Sequence, residues 1–160
     1  MLNVTLIAVG RLKERYLTEA CAEYGKRLGA YCRLKIVEVE EYRLPQNPSP
    51  AQIAAGIEAE GKEIAAKIPA GSYVIPLCIE GRPLSSEEFS RTLERVAVEG
   101  RSSVALLIGG SYGLWEELKQ RGDLRLSISR MTFPHQLARV MLLEQLYRAM
   151  TISKGQKYHK

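Results

Sequence analysis

Three segments of the sequence combine glycine, apolar and charged residues in an order that suits the binding of a small molecule. They are residues 77–83, 108–114 and 127–135, and each follows or ends an apolar run typical of a strand. In an open parallel sheet, ligands bind in the crevice beyond the carboxyl ends of the strands. The sequence therefore predicts a ligand site built from these three loops.

The glycine-rich loop, Gly109-Gly110-Ser111-Tyr112-Gly113, excludes two common nucleotide-binding motifs. Its spacing does not match G-x-G-x-x-G, and it lacks the Gly-Lys-Ser/Thr end of a phosphate-binding P-loop. A tight turn that needs positive φ is the simplest interpretation of its paired glycines. Dinucleotide-binding and P-loop nucleoside triphosphatase folds are therefore disfavoured.

The third loop is unusual because Met131-Thr132-Phe133-Pro134 is mostly apolar where polar turn residues are common. We expect such a loop to be buried, and buried backbone groups need hydrogen-bond partners. One explanation is that its amides and carbonyls bind an adenine-like ligand. The other is that the loop packs beneath a neighbouring element.

Positive charge is concentrated at the end of the chain. Residues 121–160 hold eight Lys or Arg and two Asp or Glu, whereas residues 1–120 hold 15 and 16 respectively. A local cationic excess suits a polyanion, because phosphate contacts release counterions. A solvated basic helix face would give the same count, so the charge has two interpretations: a nucleic-acid partner or a solvated surface.

Apolar runs alternate with segments of helical period along the whole chain. Strands are predicted at residues 2–9, 34–39, 72–79, 103–108 and 124–128, and helices at 15–31, 51–68, 86–100, 114–121 and 135–152. This alternation predicts an α/β fold with a parallel sheet and helices on both faces, in one domain of residues 1–160. The last helix is apolar on most faces, which favours a subunit interface.

Cys21, Cys32 and Cys78 form no C-x-x-C pair and have no His at metal-ligand spacing. Free thiols and no metal site are expected. No apolar stretch approaches the roughly 20 residues that a membrane helix needs. These features predict a cytoplasmic protein that is not bound to a membrane.

Four segments in this order resemble a known family: residues 77–81, residues 107–114 (LIGGSYGL), residues 131–137 (MTFPHQL) and the ending Tyr158-His159-Lys160. They are similar to the SPOUT superfamily of knotted methyltransferases, and more closely to its RlmH branch, which methylates N3 of a pseudouridine in large-subunit ribosomal RNA. The resemblance implies a parallel-sheet SPOUT (α/β knot) fold with a C-terminal trefoil knot over roughly residues 72–155. It also implies a homodimer, S-adenosyl-L-methionine as cofactor, and ribosomal RNA of the assembled ribosome as substrate.

The resemblance also assigns site residues by position. Cofactor contacts would come from Leu77, Gly109, Ile128, Ser129, Arg130, Met131, Thr132 and Phe133, mainly through backbone groups, with Cys78 inert. Candidate catalytic residues are His135, Arg139, Tyr158 and His159.

Each candidate catalytic residue has an alternative role. His135 is either a base or a cap of the final helix, and Arg139 either grips a phosphate or oxyanion or forms a core salt bridge. The tail with Tyr158 and His159 either closes over the cofactor of a partner subunit or frays. At the level of function, the alternatives are a knotted methyltransferase for another RNA base and a non-catalytic ribosome-binding module.

Overall fold

The computed structural model describes residues 1–160, and five parallel strands form its sheet in the order β2-β1-β4-β3-β5. The elements in chain order are β1 (Leu2–Val9), α1 (Arg15–Leu28), β2 (Cys32–Val39), α2 (Pro50–Lys67), β3 (Tyr73–Pro83), α3 (Ser86–Val98), β4 (Ser103–Ile108), α4 (Glu116–Arg121), β5 (Leu126–Ser127) and α5 (His135–Ser153). The predicted α/β class and parallel sheet are confirmed.

The two faces of the sheet carry separate hydrophobic cores. Leu6 and Leu106 point into a core of 19 buried residues shared with α1, α3 and α5. Their chain neighbours Ile7 and Leu107 point into a core of nine, shared with α2 and α4. Successive strand residues face opposite sides, so the central strands must be apolar throughout. The outer strand β2 is half exposed, as expected for an edge strand.

Two helices begin where their capping residues predict. Ser49 Oγ accepts the amide of Gln52, and the Gln52 side chain accepts the amide of Ser49. Ser85 and Glu88 form the same reciprocal pair before α3. Such capping boxes satisfy backbone amides that the first helical turn leaves unpaired.

The β3–β5 edge differs from the prediction. β3 continues through Pro76 to Pro83, and both Leu77 and Arg82 stand opposite Leu126, so residues 78–81 bulge out of the pairing. The first predicted loop is therefore a bulge within a strand. A Cβ on Gly81 would lie 2.8 Å from the carbonyl carbon of Leu126, so this close approach needs glycine.

β5 is only Leu126–Ser127, shorter than the predicted 124–128. Asp123 accounts for the difference, because its carboxylate accepts the amide of Val74 at 2.8 Å. The amides of Asp123 and Leu124 both donate to the carbonyl of Val74. These contacts replace the regular ladder at the beginning of the strand.

The last helix begins at the end of β1, which is separated from β5 by β4 and β3 in the sheet. The amide of Lys13 donates to Gln136 Oε1 at 3.2 Å, and Arg139 donates to the carbonyl of Gly10, so the first turn of α5 lies at the end of β1. Residues 128–134 must therefore cross the carboxyl ends of β3 and β4. The trefoil knot stays a prediction. None of the helices combines the length and apolar character needed to cross a membrane.

Candidate active site

Residues 128–133 connect β5 to α5 and belong, with Leu77 and Gly109, to the residues assigned as cofactor contacts. Leu77 lies where β3 leaves its regular pairing, and Gly109 directly follows β4, the neighbouring strand. The segment 128–134 runs from β5 to the end of β1, and the strands that carry Leu77 and precede Gly109 lie between those two points in the sheet. We refer to residues 128–133 as the crossing loop.

The turn at Gly109–Gly113 depends on glycine for steric reasons. A Cβ on Gly109 would lie 2.5 Å from the carbonyl carbon of Gly113, which is closer than real Cβ contacts allow. Gly113 has a φ of 93° and donates its amide to the carbonyl of Gly110 at 3.0 Å. Glycine at these positions lets the two arms of the turn pack closely together, which fixes the path of the backbone after β4.

The backbone of the crossing loop is almost unpaired. No amide or carbonyl of residues 128–133 bonds to another backbone group. The exceptions are side-chain contacts: the amide of Met131 donates to Ser129 Oγ, and Ser127 Oγ donates to the carbonyl of Ser129. Donors and acceptors in such number fit a ligand that is recognised through backbone groups, as a purine ring can be.

The expected burial of this loop is wrong for the single chain. Met131 is 73% exposed, and Thr132 and Pro134 are also exposed. The physical reason is that no element of the chain packs above the crossing loop. Its apolar side chains are therefore left for a ligand or another molecule to cover.

His135 is the first residue of α5 and is half-buried. Pro134 occupies the N-cap position without a side-chain bond, so the capping role for His135 is not observed. Burial lowers the pKa of His135, and Arg139 and Lys13 lower it further while Glu41 opposes them. At neutral pH the imidazole is therefore uncharged and has a lone pair to accept a proton.

Arg139 is 2% exposed and forms a core salt bridge in this structure. Its Nη1 donates to Glu38 Oε2 at 2.7 Å and its Nη2 to the carbonyl of Gly10 at 3.2 Å, while Nε has no partner. Of its two predicted roles, the single chain shows the salt bridge. Arg139 fixes the start of α5 to the ends of β1 and β2, and thereby positions His135.

The C-terminal tail folds back along its own helix and does not fray. Tyr158 donates to Glu144 Oε1 at 3.1 Å, and its ring lies 4.8 Å from that of Tyr147. His159 lies 2.6 Å from Glu87 and 3.1 Å from Arg148. Burial and the bond to Glu144 raise the pKa of Tyr158 to about 12, so its phenol stays protonated at neutral pH.

The structure thus separates the predicted catalytic residues into two groups. His135 and Arg139 lie beside the crossing loop, whereas Tyr158 contacts Glu144, nine residues further along α5. At 1.5 Å per residue this is about 14 Å along the helix. Within one chain, Tyr158 and His159 do not reach the loop.

A groove of about 430 Å³ on the α2 side was not predicted from the sequence. Tyr42, Glu60 and Tyr112 line it beside the Gly109–Gly113 turn. The sequence held one weak signal: Gly56 in the middle of α2, where a Cβ would lie 3.0 Å from the Tyr42 ring. No group of three or more His, Cys, Asp or Glu side chains is placed to hold a metal ion.

The sequence matches a family described as "Predicted SPOUT methyltransferase" over residues 2–159. It is 49% identical over 159 residues to "Ribosomal RNA large subunit methyltransferase H" of Leuconostoc mesenteroides, covering 99% of this chain and 100% of that protein. The proteins of the same name from Clostridioides difficile and Carboxydothermus hydrogenoformans are each 48% identical, with the same coverage.

Solved structures of lower sequence identity share the fold. A probable methyltransferase from Bordetella pertussis has a TM-score of 0.56 at 16% identity, covering 92% of this chain and 95% of that one. A probable methylase family protein from Haemophilus influenzae has a TM-score of 0.53 at 14% identity, covering 99% and 70%. At these TM-scores the matches show a shared fold.

Proposed function

The chain belongs to the SPOUT methyltransferase family, and from this premise we propose that it methylates N3 of a pseudouridine in large-subunit ribosomal RNA of the assembled ribosome. The methyltransferase class and the S-adenosylmethionine cofactor, both predicted from the sequence, are confirmed by this membership. The RNA class follows the name shared by relatives that are 47–49% identical over nearly the whole chain.

One observation supports the location of the site above all others. Residues 128–133 make no hydrogen bond to another backbone group, and they run from β5 towards the end of β1, past β3 and β4. Those residues, Leu77 and Gly109 are the assigned cofactor contacts. Gly109 follows β4 and the loop follows β5, at the carboxyl ends where parallel sheets bind ligands, while Leu77 lies where β3 leaves its pairing with β4. S-adenosylmethionine, when bound there, supplies a methyl group on a positively charged sulfur.

The remaining chemistry belongs to residues of this chain. The N3 lone pair of the base forms the new N–C bond as the S–C bond breaks, and the imide proton on N3 must leave. His135 accepts that proton in our proposal, since its lowered pKa keeps it neutral at physiological pH. Arg139 has a positioning role, because it holds the first turn of α5 in place.

A homodimer is needed to complete the site we propose. Tyr158 and His159 lie about 14 Å along α5 from His135 in the same chain. Leu137, in the first turn of α5, is 37% exposed, and Met131 in the crossing loop is 73% exposed. We propose that two copies pack through this apolar end of α5, and that the tail of each reaches the crossing loop of the other.

Cationic side chains that can bind the RNA backbone lie both in the crossing loop and in the C-terminal tail. Arg130 in the crossing loop and Lys154, Lys157 and Lys160 in the tail are exposed and take part in no ion pair. In the proposed dimer they surround one site. Phosphate contacts of this kind make binding strongly salt-dependent.

Three further predictions from the sequence belong to this proposal. We propose that residues 1–160 act as one domain, that residues 72–155 or so form the trefoil knot, and that the protein works in the cytoplasm, where ribosomes are. The three free, buried cysteines support a reducing compartment.

Two measurements test the proposed function. Isothermal calorimetry should detect S-adenosylmethionine binding to the purified protein, and a result without binding would contradict the cofactor assignment. Mass spectrometry of ribosomal RNA nucleosides from a strain lacking the gene should show the loss of one N3-methylpseudouridine, restored by the wild-type gene. Loss of a different methylated base would indicate another RNA target.

A further inference from the structure

The groove beside the Gly109–Gly113 turn has the size and position of an acceptor pocket. Its volume of about 430 Å³ falls within the range of small-molecule sites. Ser111 and Tyr112 form one wall, and both belong to the turn that begins at Gly109. The groove and the proposed cofactor site therefore share a wall of backbone.

Two exposed tyrosines line this groove. Tyr42 is 44% exposed and Tyr112 is 53% exposed, although most tyrosines of the chain are more buried. The Tyr42 ring is fixed against α2 at Gly56. Solvent-exposed aromatic rings beside a polar groove are suited to stacking on nucleobases, whose faces are also aromatic.

Glu60 supplies a hydrogen-bond acceptor at the base of the groove. Its Oε2 accepts the amide of Tyr42 at 3.0 Å, and its Oε1 lies 3.1 Å from where a Cβ on Gly110 would be. Burial raises the pKa of Glu60, and Glu41 raises it further against the opposing effect of the Tyr42 amide. The carboxylate is therefore short of donors, and a ligand N–H would stabilise it.

The groove borders the turn that supplies one assigned cofactor contact. Glu60 Oε1 lies close to Gly110, and Ser111 and Tyr112 continue the same turn along the groove. A flat ring held between Glu60 and this turn would therefore lie next to Gly109. Glu41 also lines the groove, and its charge raises the pKa of His135 against the effect of burial.

We infer that this groove receives the acceptor base and that Glu60 selects pseudouridine by accepting the N1–H of its ring. The inference rests on the proposed function. Pseudouridine is joined to ribose through carbon, so its N1 carries a hydrogen, whereas the N1 of uridine is bonded to the sugar. Uridine in the same position would offer no donor to Glu60 Oε1, and an unsatisfied, half-buried carboxylate oxygen is costly.

The test compares two acceptors across matched variants. Ribosomes that carry either pseudouridine or uridine at the target position are supplied to the enzyme, and kcat/KM for methyl transfer is measured for each. Glu60→Leu removes the acceptor, while Glu60→Gln keeps a carbonyl oxygen. Glu63→Leu is the control for loss of a nearby negative charge, because Glu63 is exposed on the same helix three residues away and its charge acts on the pKa of Glu60.

The wild type and Glu63→Leu should prefer pseudouridine by about ten- to a hundred-fold, the range of one buried hydrogen bond. Glu60→Leu should lose most of its rate on pseudouridine, so that its preference falls close to one. Glu60→Gln should retain most of the preference. Circular dichroism and calorimetry with S-adenosylmethionine verify that each variant is folded and binds cofactor.

Two results would overturn the inference and leave the proposed function standing: methylation of uridine by the wild type at an equal rate, or an unchanged preference in Glu60→Leu. Absence of methylation of either acceptor by the wild type would overturn both proposals. Tyr112→Leu provides a second arm, since loss of stacking should raise KM for both acceptors equally and leave their ratio unchanged. A ratio that changes in Tyr112→Leu as much as in Glu60→Leu would contradict the assigned role of Glu60.

Discussion

The two ends of α5 differ in how their polar groups are satisfied. At its start, the crossing loop leaves backbone amides and carbonyls without partners, and Arg139 keeps an unpaired Nε. At its end, two tail side chains have partners: Tyr158 bonds to Glu144, and His159 bonds to Glu87 and Arg148. The first region is prepared for a ligand, whereas the second already has its partners.

This difference indicates what each region must do to form a shared site. The crossing loop needs a bound molecule and little movement. The tail must leave its own helix before it can act on a neighbouring subunit. Its one ion pair, between His159 and Glu87, is partly exposed, and such pairs contribute little to stability, so exchange between the two positions is energetically feasible.

A dimer of two different inactive subunits gives the most severe test of whether the two ends of α5 act across subunits. His135→Ala and deletion of residues 158–160 should each lower the methylation rate by about a hundred-fold or more, since each removes a group from the reaction. After the two inactive proteins are mixed and subunits exchange, about a quarter of wild-type activity should return, because half of the dimers carry one intact site. The rate of methyl incorporation measures this.

The control for that experiment is a mixture of two His135→Ala proteins with different affinity tags, which should stay inactive. If the tail acted on the loop of its own chain, every site in the mixed dimer would lack one group. Activity would then fail to return, and the proposed composite site would be wrong.

Gly109→Ala tests the loop end alone. The added Cβ would lie 2.5 Å from the backbone of Gly113, so the turn must shift. Overpacking of this kind costs about 1–3 kcal/mol, which corresponds to a loss of about ten- to a hundred-fold in S-adenosylmethionine affinity. Calorimetry measures the affinity, with thermal unfolding as a check on folding.

Gly25→Ala on α1 is a suitable control, because its Cβ would make only an ordinary contact at 4.0 Å with the side chain of Leu34. Cofactor affinity should be unchanged there. Equal losses in both variants would indicate general destabilisation and would contradict a specific role for the turn.

The pH dependence of the rate follows from the pKa of His135. Burial lowers that pKa below its ordinary value of about 6.5, so the imidazole is the free base at neutral pH and becomes protonated only in acid. We expect kcat/KM to be flat above neutral pH and to fall about tenfold per pH unit below a midpoint under 6.5. His135→Gln should have a low rate without this acid limb, and an acid limb retained in that variant would assign it to another group.

Much of the fold could be predicted because its signals are local. Ser49 and Ser85 mark helix starts by their own hydrogen bonds, and the apolar strands follow from burial on both faces. The bulge at residues 78–81 and the short β5 could not be predicted in this way. Both depend on contacts between distant residues, such as the Asp123 carboxylate with the Val74 amide.

The candidate site likewise has residues that the local sequence indicates and residues that it does not. Sequence motifs indicated the crossing loop and the turn at Gly109, because their residue types are unusual where they stand. They did not indicate Glu60, which is one glutamate among several on an ordinary helix. Only folding brings it close to Gly110 and Tyr42, at the groove that we propose receives the base.

The smallest expected effects concern the side chains of the crossing loop. If recognition is through the backbone, Met131→Ala should change S-adenosylmethionine affinity by no more than about twofold, as exposed positions usually do. Ser129→Ala should weaken it more, by up to about tenfold, because Ser129 Oγ accepts the Met131 amide and holds the loop. Calorimetry on both variants ranks them. The reverse order would show that the Met131 side chain, and not the loop backbone, makes the principal contact, and the contrast between the two ends of α5 would then lose its physical basis.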